Sequence, residues 1–172
     1  MKKNTLIVAV IAIFAMSLTS CGHKDPTLTE CLTGAKKGWT IEKATVDHTF
    51  TMLSGKTVED LVGDGYLYDC EKDEIIKFLD NGSQTINPGK STCEFGYQKE
   101  VATTYEVSSD DKTLTCHIPF YYNEDETSFH AIPQECVVVS FSEKELVLRC
   151  NFFVDNITTK EKFVLTMTYK AN

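Results

Sequence analysis

Alternation of apolar and polar positions dominates the chain from Trp39 onward. Phe163, Leu165, Met167 and Tyr169 share one face of an extended segment, with Val164, Thr166, Thr168 and Lys170 on the other. Leu146, Leu148, Cys150 and Phe152 repeat the pattern, as do Leu114, Cys116, Ile118 and Phe120. Such segments predict eight strands, over 39–48, 73–80, 83–88, 99–108, 112–121, 135–142, 145–154 and 159–170. Before them, Leu28, Leu32 and Ala35 fall at helical spacing. Asp25-Pro26 reads as an N-cap followed by a first-turn proline, which predicts a helix of about ten residues. Asp80-Asn81-Gly82-Ser83 is a hairpin signal, and tight turns are expected at 108–112 and 142–145.

Eight sequential antiparallel strands close naturally into an up-and-down barrel, which leaves no exposed sheet edge. The expected class is therefore all-β, an eight-stranded antiparallel barrel with a short N-terminal helix. Alternate turns of such a barrel lie at opposite ends. The turns at 81–82, 109–111 and 143–144 share one end and are all tight. The connections 49–72, 89–98, 122–134 and 155–158 share the other, and three of them are long. One closed end and one open mouth follow, with Leu28 and Leu32 of the helix plugging the closed end. Alternation places Phe78, Tyr105, Phe120, Phe141, Phe152, Phe163 and Tyr169 inward. Trp39, the sole tryptophan, belongs at the barrel base, and Arg149 faces out.

The first 21 residues change the picture. Met1-Lys2-Lys3 is basic, Leu6 to Met16 is an apolar run without charge, and Leu18-Thr19-Ser20-Cys21 follows. This is the layout of an export signal, too short for a stable membrane span. Its ending resembles the lipobox of bacterial lipoproteins, which implies cleavage before Cys21 and lipidation of its sulfur. The expected organisation is a signal over 1–20, a tether over 21–26 and one barrel domain over 27–172. The chain has 17 basic and 25 acidic residues, and Lys2 and Lys3 leave with the signal. Arg149 is the only arginine, so a phosphate-reading surface is absent and no nucleic-acid partner is expected.

The same stretches carry a second resemblance. They are the helix leading to Gly38-Trp39, Cys70-Glu71-Lys72-Asp73 through Phe78, Asp80-Asn81-Gly82, Gly89 to Cys93, and the Ser…Leu turns before Leu114 and Leu146. Over roughly 27–170 the chain resembles lipocalin-like lipoproteins of Gram-negative envelopes, with Tyr105 standing where such domains often carry a tryptophan. The resemblance implies a barrel with an internal cavity and leaves the ligand open. Gly22 lacks the aspartate of an inner-membrane retention signal, so an outer-membrane anchor is expected, with the leaflet undecided.

With Cys21 set aside for lipid, six cysteines remain, an even number behind an export signal, which reads as disulfides. Cys70 and Cys93 lie equally far from the centre of Asn81-Gly82. A two-residue hairpin there sets them opposite each other and predicts a Cys70–Cys93 bond at the mouth. Cys31 with Cys116 and Cys136 with Cys150 are one pairing of the other four, and free buried thiols are the alternative. Alternation puts Cys150 inward and Cys136 outward, so joining them requires a bulge.

No catalytic constellation is legible. Cys116 and His117 are adjacent in a strand and point to opposite faces. His23, His48 and His130 lack metal spacing, and Glu124-Asp125-Glu126 lacks that of a calcium loop. No metal, cofactor or enzymatic activity is expected. The suggestive residues are mouth-side rings, Tyr66, Tyr68, Phe95, Tyr97, Tyr121, Tyr122, Phe129 and His130, which suit an apolar ligand with a polar group. Equally, they suit the packing of segment 50–68 as a lid. The expected function is a lipid-anchored binding module for a small apolar or amphipathic molecule. The alternative is a filled barrel that docks a protein or glycan partner.

Overall fold

The computed structural model describes residues 25–93, 99–121, 129–153 and 162–172. Helix α1 (Leu28–Gly34) precedes the strands β1 (Trp39–Thr51) and β2 (Thr57–Asp60). A single turn, α2 (Asp69–Lys72), leads to β3 (Ile75–Phe78) and β4 (Ser83–Asn87). Then come β5 (Val101–Val107), β6 (Thr113–Tyr121), β7 (Phe129–Phe141), β8 (Glu145–Phe153) and β9 (Lys162–Ala171). The strands β1 and β3 to β9 form a closed, antiparallel, up-and-down barrel of eight, as the alternation predicts. β2 is an extra strand on the free edge of β1, within the segment expected as a lid.

The closed end is built as expected, with one shift. The helix begins at Thr27, not Asp25, because Thr27 and Glu30 form a capping box: Glu30 N donates to Thr27 Oγ1, and Thr27 N to the Glu30 carboxylate. Leu28 and Leu32 are fully buried and plug the barrel. Leu28 N donates to Asp111 Oδ2 at 3.2 Å, and Trp39 Nε1 donates to the Leu32 carbonyl at 3.0 Å. The sole tryptophan thus sits in the base with its polar atom satisfied. Arg149 is exposed, as expected.

Three local features depart from the sequence reading, each for a physical reason. The β3–β4 hairpin pairs Phe78 with Gln84. Its loop is Asp80-Asn81-Gly82, three residues, closed by Leu79 N to the Ser83 carbonyl and Gly82 N to the Leu79 carbonyl. Gly82 takes φ +79°, the left-handed conformation such loops require. The register is one residue away from a two-residue turn. Cys70 and Cys93 are nevertheless bonded, with Cα atoms 5.4 Å apart, but not across a ladder. Cys70 lies in α2 and Cys93 in the loop after β4. Asp73 Oδ2 holds that loop by accepting from Lys90 N and Ser91 N. Gly89, at φ +78°, passes so close that a Cβ would meet the Asp73 carbonyl at 2.2 Å.

Strand β7 begins at Phe129, well before the expected residue 135, and carries a bulge between Val138 and Ser140. The bulge adds one residue and inverts the alternation on its far side. Phe141 and Cys136 can therefore both face the core despite their odd spacing. Cys136 is buried, not outward, and lies directly opposite Cys150. Finally, β1 pairs with β3 only through Trp39 and Ile76, because β2 occupies the rest of that edge. Asp60 Oδ1 accepts from Ala44 N, and Leu61 N donates to the Ala44 carbonyl. Val58 and Leu61, both buried, seal this seam.

Candidate functional site

The barrel interior holds a cavity of about 190 Å³. Its wall is mainly apolar, with Phe78, Ile86, Leu146, Leu148, Leu165 and Met167 among its residues. Polar atoms come from Gln84, Gln134, Asn151 and Tyr169. Cys116, Cys136 and Cys150 add three thiols to the same wall. Ile118 stands at the rim, opposite Ile132 across β6 and β7. Both are exposed because the barrel opens there.

That opening has a backbone cause. β5 pairs with β6 only from Tyr105 to Val107, and β7 pairs with β8 only from Cys136 onward. Residues 117–121 and 129–133 pair with each other, and among the described residues no rung joins them to β5 or β8, so they leave the wall as a two-stranded ribbon. Two prolines keep this ribbon from rejoining the wall beyond the last rungs. His117 gives its carbonyl to Gln84 Nε2 at 3.1 Å, so it faces away from β7. Its pair, Pro133, must then face β8, and Pro119, two residues on, must face β5. Neither has an N–H to offer those neighbours.

Gln84 repairs part of the split. It is buried, and its amide also donates to Thr103 Oγ1 at 2.9 Å. The His117 ring lies 3.2 Å from the Thr104 carbonyl, where the β5–β6 ladder would have continued. Gln84 Oε1 remains buried with no hydrogen-bond partner among the described residues.

The predicted mouth residues divide. Tyr66 packs edge-on against Phe50 and Phe152, with centroids 5.5 and 6.2 Å apart, and so holds the lid onto the barrel. Tyr68 is 73% exposed, and the barrel cavity does not include it among its lining residues. Cys21, Phe95, Tyr97 and Tyr122 lie outside the described residues, as do the side chains of Phe120, Tyr121, Phe129 and His130. Glu124-Asp125-Glu126 and His23 lie outside them too. Cys31 is buried in α1, and neither it nor Cys116 is bonded to another cysteine. Sequence reasoning missed Gln84, Gln134 and Asn151. Gln84 was open to detection, since a glutamine between Ser83 and Thr85 falls on the same face as Ile86.

The electrostatics of the site are those of a dry interior. Burial, with Cys150 nearby, pushes the Cys116 thiol up to about 12. Burial likewise raises the Tyr169 hydroxyl. Glu74, the residue just before β3, is pushed up to about 7 by burial and then by Glu71 and Asp73. Among the described residues, no three His, Cys, Asp or Glu side chains cluster to hold a metal.

No family model, curated protein or solved structure matches the chain.

Proposed function

We propose that the chain is a lipid-anchored envelope protein whose barrel holds one small, largely apolar molecule. The cavity of about 190 Å³ carries this reading. An apolar cavity of roughly 150 Å³ suffices for a benzene-sized guest. Here a ring or a short acyl segment fits. The export signal and Cys21 supply the membrane attachment.

The same volume favours a second reading. It falls below the roughly 300 Å³ at which ligand sites for drug-sized molecules begin. A barrel that is filled in use acts instead as a docking module, and Val137 and Val139 offer exposed apolar side chains on β7. Native mass spectrometry of the full lipidated chain, purified from membranes, separates the two. A bound small apolar mass is expected in the wild type and lost in Ile118→Trp, which narrows the rim without entering the core. A ligand-free wild type overturns the binding reading in favour of docking.

A further inference from the structure

Cys136 and Cys150 face each other across β7 and β8, and theirs is the last rung before β7 leaves the wall. Both are buried. Val138 N donates to the Lys112 carbonyl, so Val138 faces β6, and the Val138–Leu148 pair is not hydrogen-bonded across to β8. Cys136, two residues earlier in unbroken register, is then non-hydrogen-bonded as well. This agrees with the independent evidence of the His117 carbonyl, which fixes the alternation of β6 and β7 from the other side. In such pairs the Cα atoms lie roughly 4.5 Å apart, within the range a disulfide spans.

We propose that Cys136 and Cys150 are a cross-strand disulfide site that staples the barrel wall at the apex of its lateral split. The oxidant is a disulfide, either that of an envelope thiol–disulfide oxidoreductase or glutathione disulfide. One cysteine, as thiolate, attacks the donor disulfide, forming a mixed disulfide and releasing one donor thiol. The second then displaces the other donor sulfur. Two S–H bonds are lost, one S–S bond forms, and the donor leaves as two thiols. Cys116 is excluded as a partner. It lies diagonal to Cys136, whose direct neighbour on β6 is Leu114, and diagonal Cα atoms are roughly 7–8 Å apart. The proposal is independent of whether the cavity holds a ligand.

The test is a disulfide map. The full chain, exported under its own leader, is trapped by alkylation during denaturing lysis and digested without reduction. Trypsin cleaves after Lys144 and Arg149, and a glutamate-specific protease separates Cys116 from Cys136 at Glu124, Glu126 and Glu135. The expected product joins the Cys136 and Cys150 peptides, with Cys31 and Cys116 recovered as alkylated thiols. Recovery of Cys136 and Cys150 as thiols, or joined to Cys116, overturns the proposal. Purified reduced chain titrated with glutathione disulfide removes dependence on cellular address. It should form the same bond, and failure there also counts against the site. As a second readout, a Cys70→Ala, Cys93→Ala chain should lose on the order of 10 °C in thermal midpoint on reduction. An unchanged midpoint contradicts a staple at this rung.

Discussion

At the scale of single residues, side chains stand in where backbone pairing stops. Gln84 receives the His117 carbonyl that β5 leaves unpaired. Asp47 Oδ1 accepts from Val164 N just past the last β1–β9 rung, Val46 with Leu165, and that bond holds its carboxyl below the usual range. Glu74 is the opposite case, a carboxyl set among Glu71 and Asp73 in a partly dry site. Its folded pKa of about 7 lies above its ordinary value, so the fold prefers it protonated. Its contribution is present below the ordinary carboxylate range and lost as pH rises through about 7. After allowance for its partial exposure, the loss is on the order of 1–2 kcal/mol. Glu74→Gln should therefore be more stable than the wild type at pH 8 and nearly equal to it at pH 5. Urea melts of both proteins across this range check it, and a difference that stays flat with pH removes Glu74 as the source.

At the scale of elements, the lid depends on a bond whose existence was legible and whose geometry was not. Cys70 and Cys93 were placed by hairpin symmetry, but the three-residue turn at Asp80-Asn81-Gly82 breaks that symmetry. The bond forms because α2 and the loop after β4 meet over Asp73. The Cys70→Ala, Cys93→Ala protein should keep its β content, since no barrel rung contains either residue. It should lose roughly 3 kcal/mol, as expected for a closed loop of 23 residues' separation. Limited proteolysis should then cut first within 49–72, and first cuts elsewhere would show that the lid is held by Val58, Leu61 and Tyr66 alone. Legibility varied for the same kind of reason. β8 and β9 were readable because strict alternation runs through their whole length. The four-residue β2 was not, because Thr57-Val58-Glu59-Asp60 offers one apolar side chain and no period. The face of Cys136 was misread because the bulge at Val139 leaves no mark in the sequence and reverses every position before it.

At the scale of the whole molecule, the two ends of the barrel have different tasks. The closed end gathers α1 with the turns at 108–112 and 142–145, and Asp25 and Pro26 lie beside Asp111, Phe141 and Lys144. The open end carries the lid, the Cys70–Cys93 bond and the ribbon of β6 and β7. Only Gly22, His23 and Lys24 separate Cys21 from Asp25, a reach of about 14 Å fully extended. A lipid on Cys21 would therefore tether the barrel by its closed end, with the mouth and the lateral split directed away from that bilayer. A guest would then arrive from the aqueous side, not from the anchoring membrane. Two measurements test this arrangement in order. Cys21→Ser should shift the protein from the salt-washed membrane fraction to the soluble one, and a variant that still sediments contradicts the anchor itself. On the wild-type chain in vesicles, a fluorophore attached at Lys112 should be quenched by lipid-borne quenchers, and one at Leu53, which is 77% exposed on the lid, should not. Equal quenching at both sites would mean that the barrel lies on its side, and the lateral split would then face lipid.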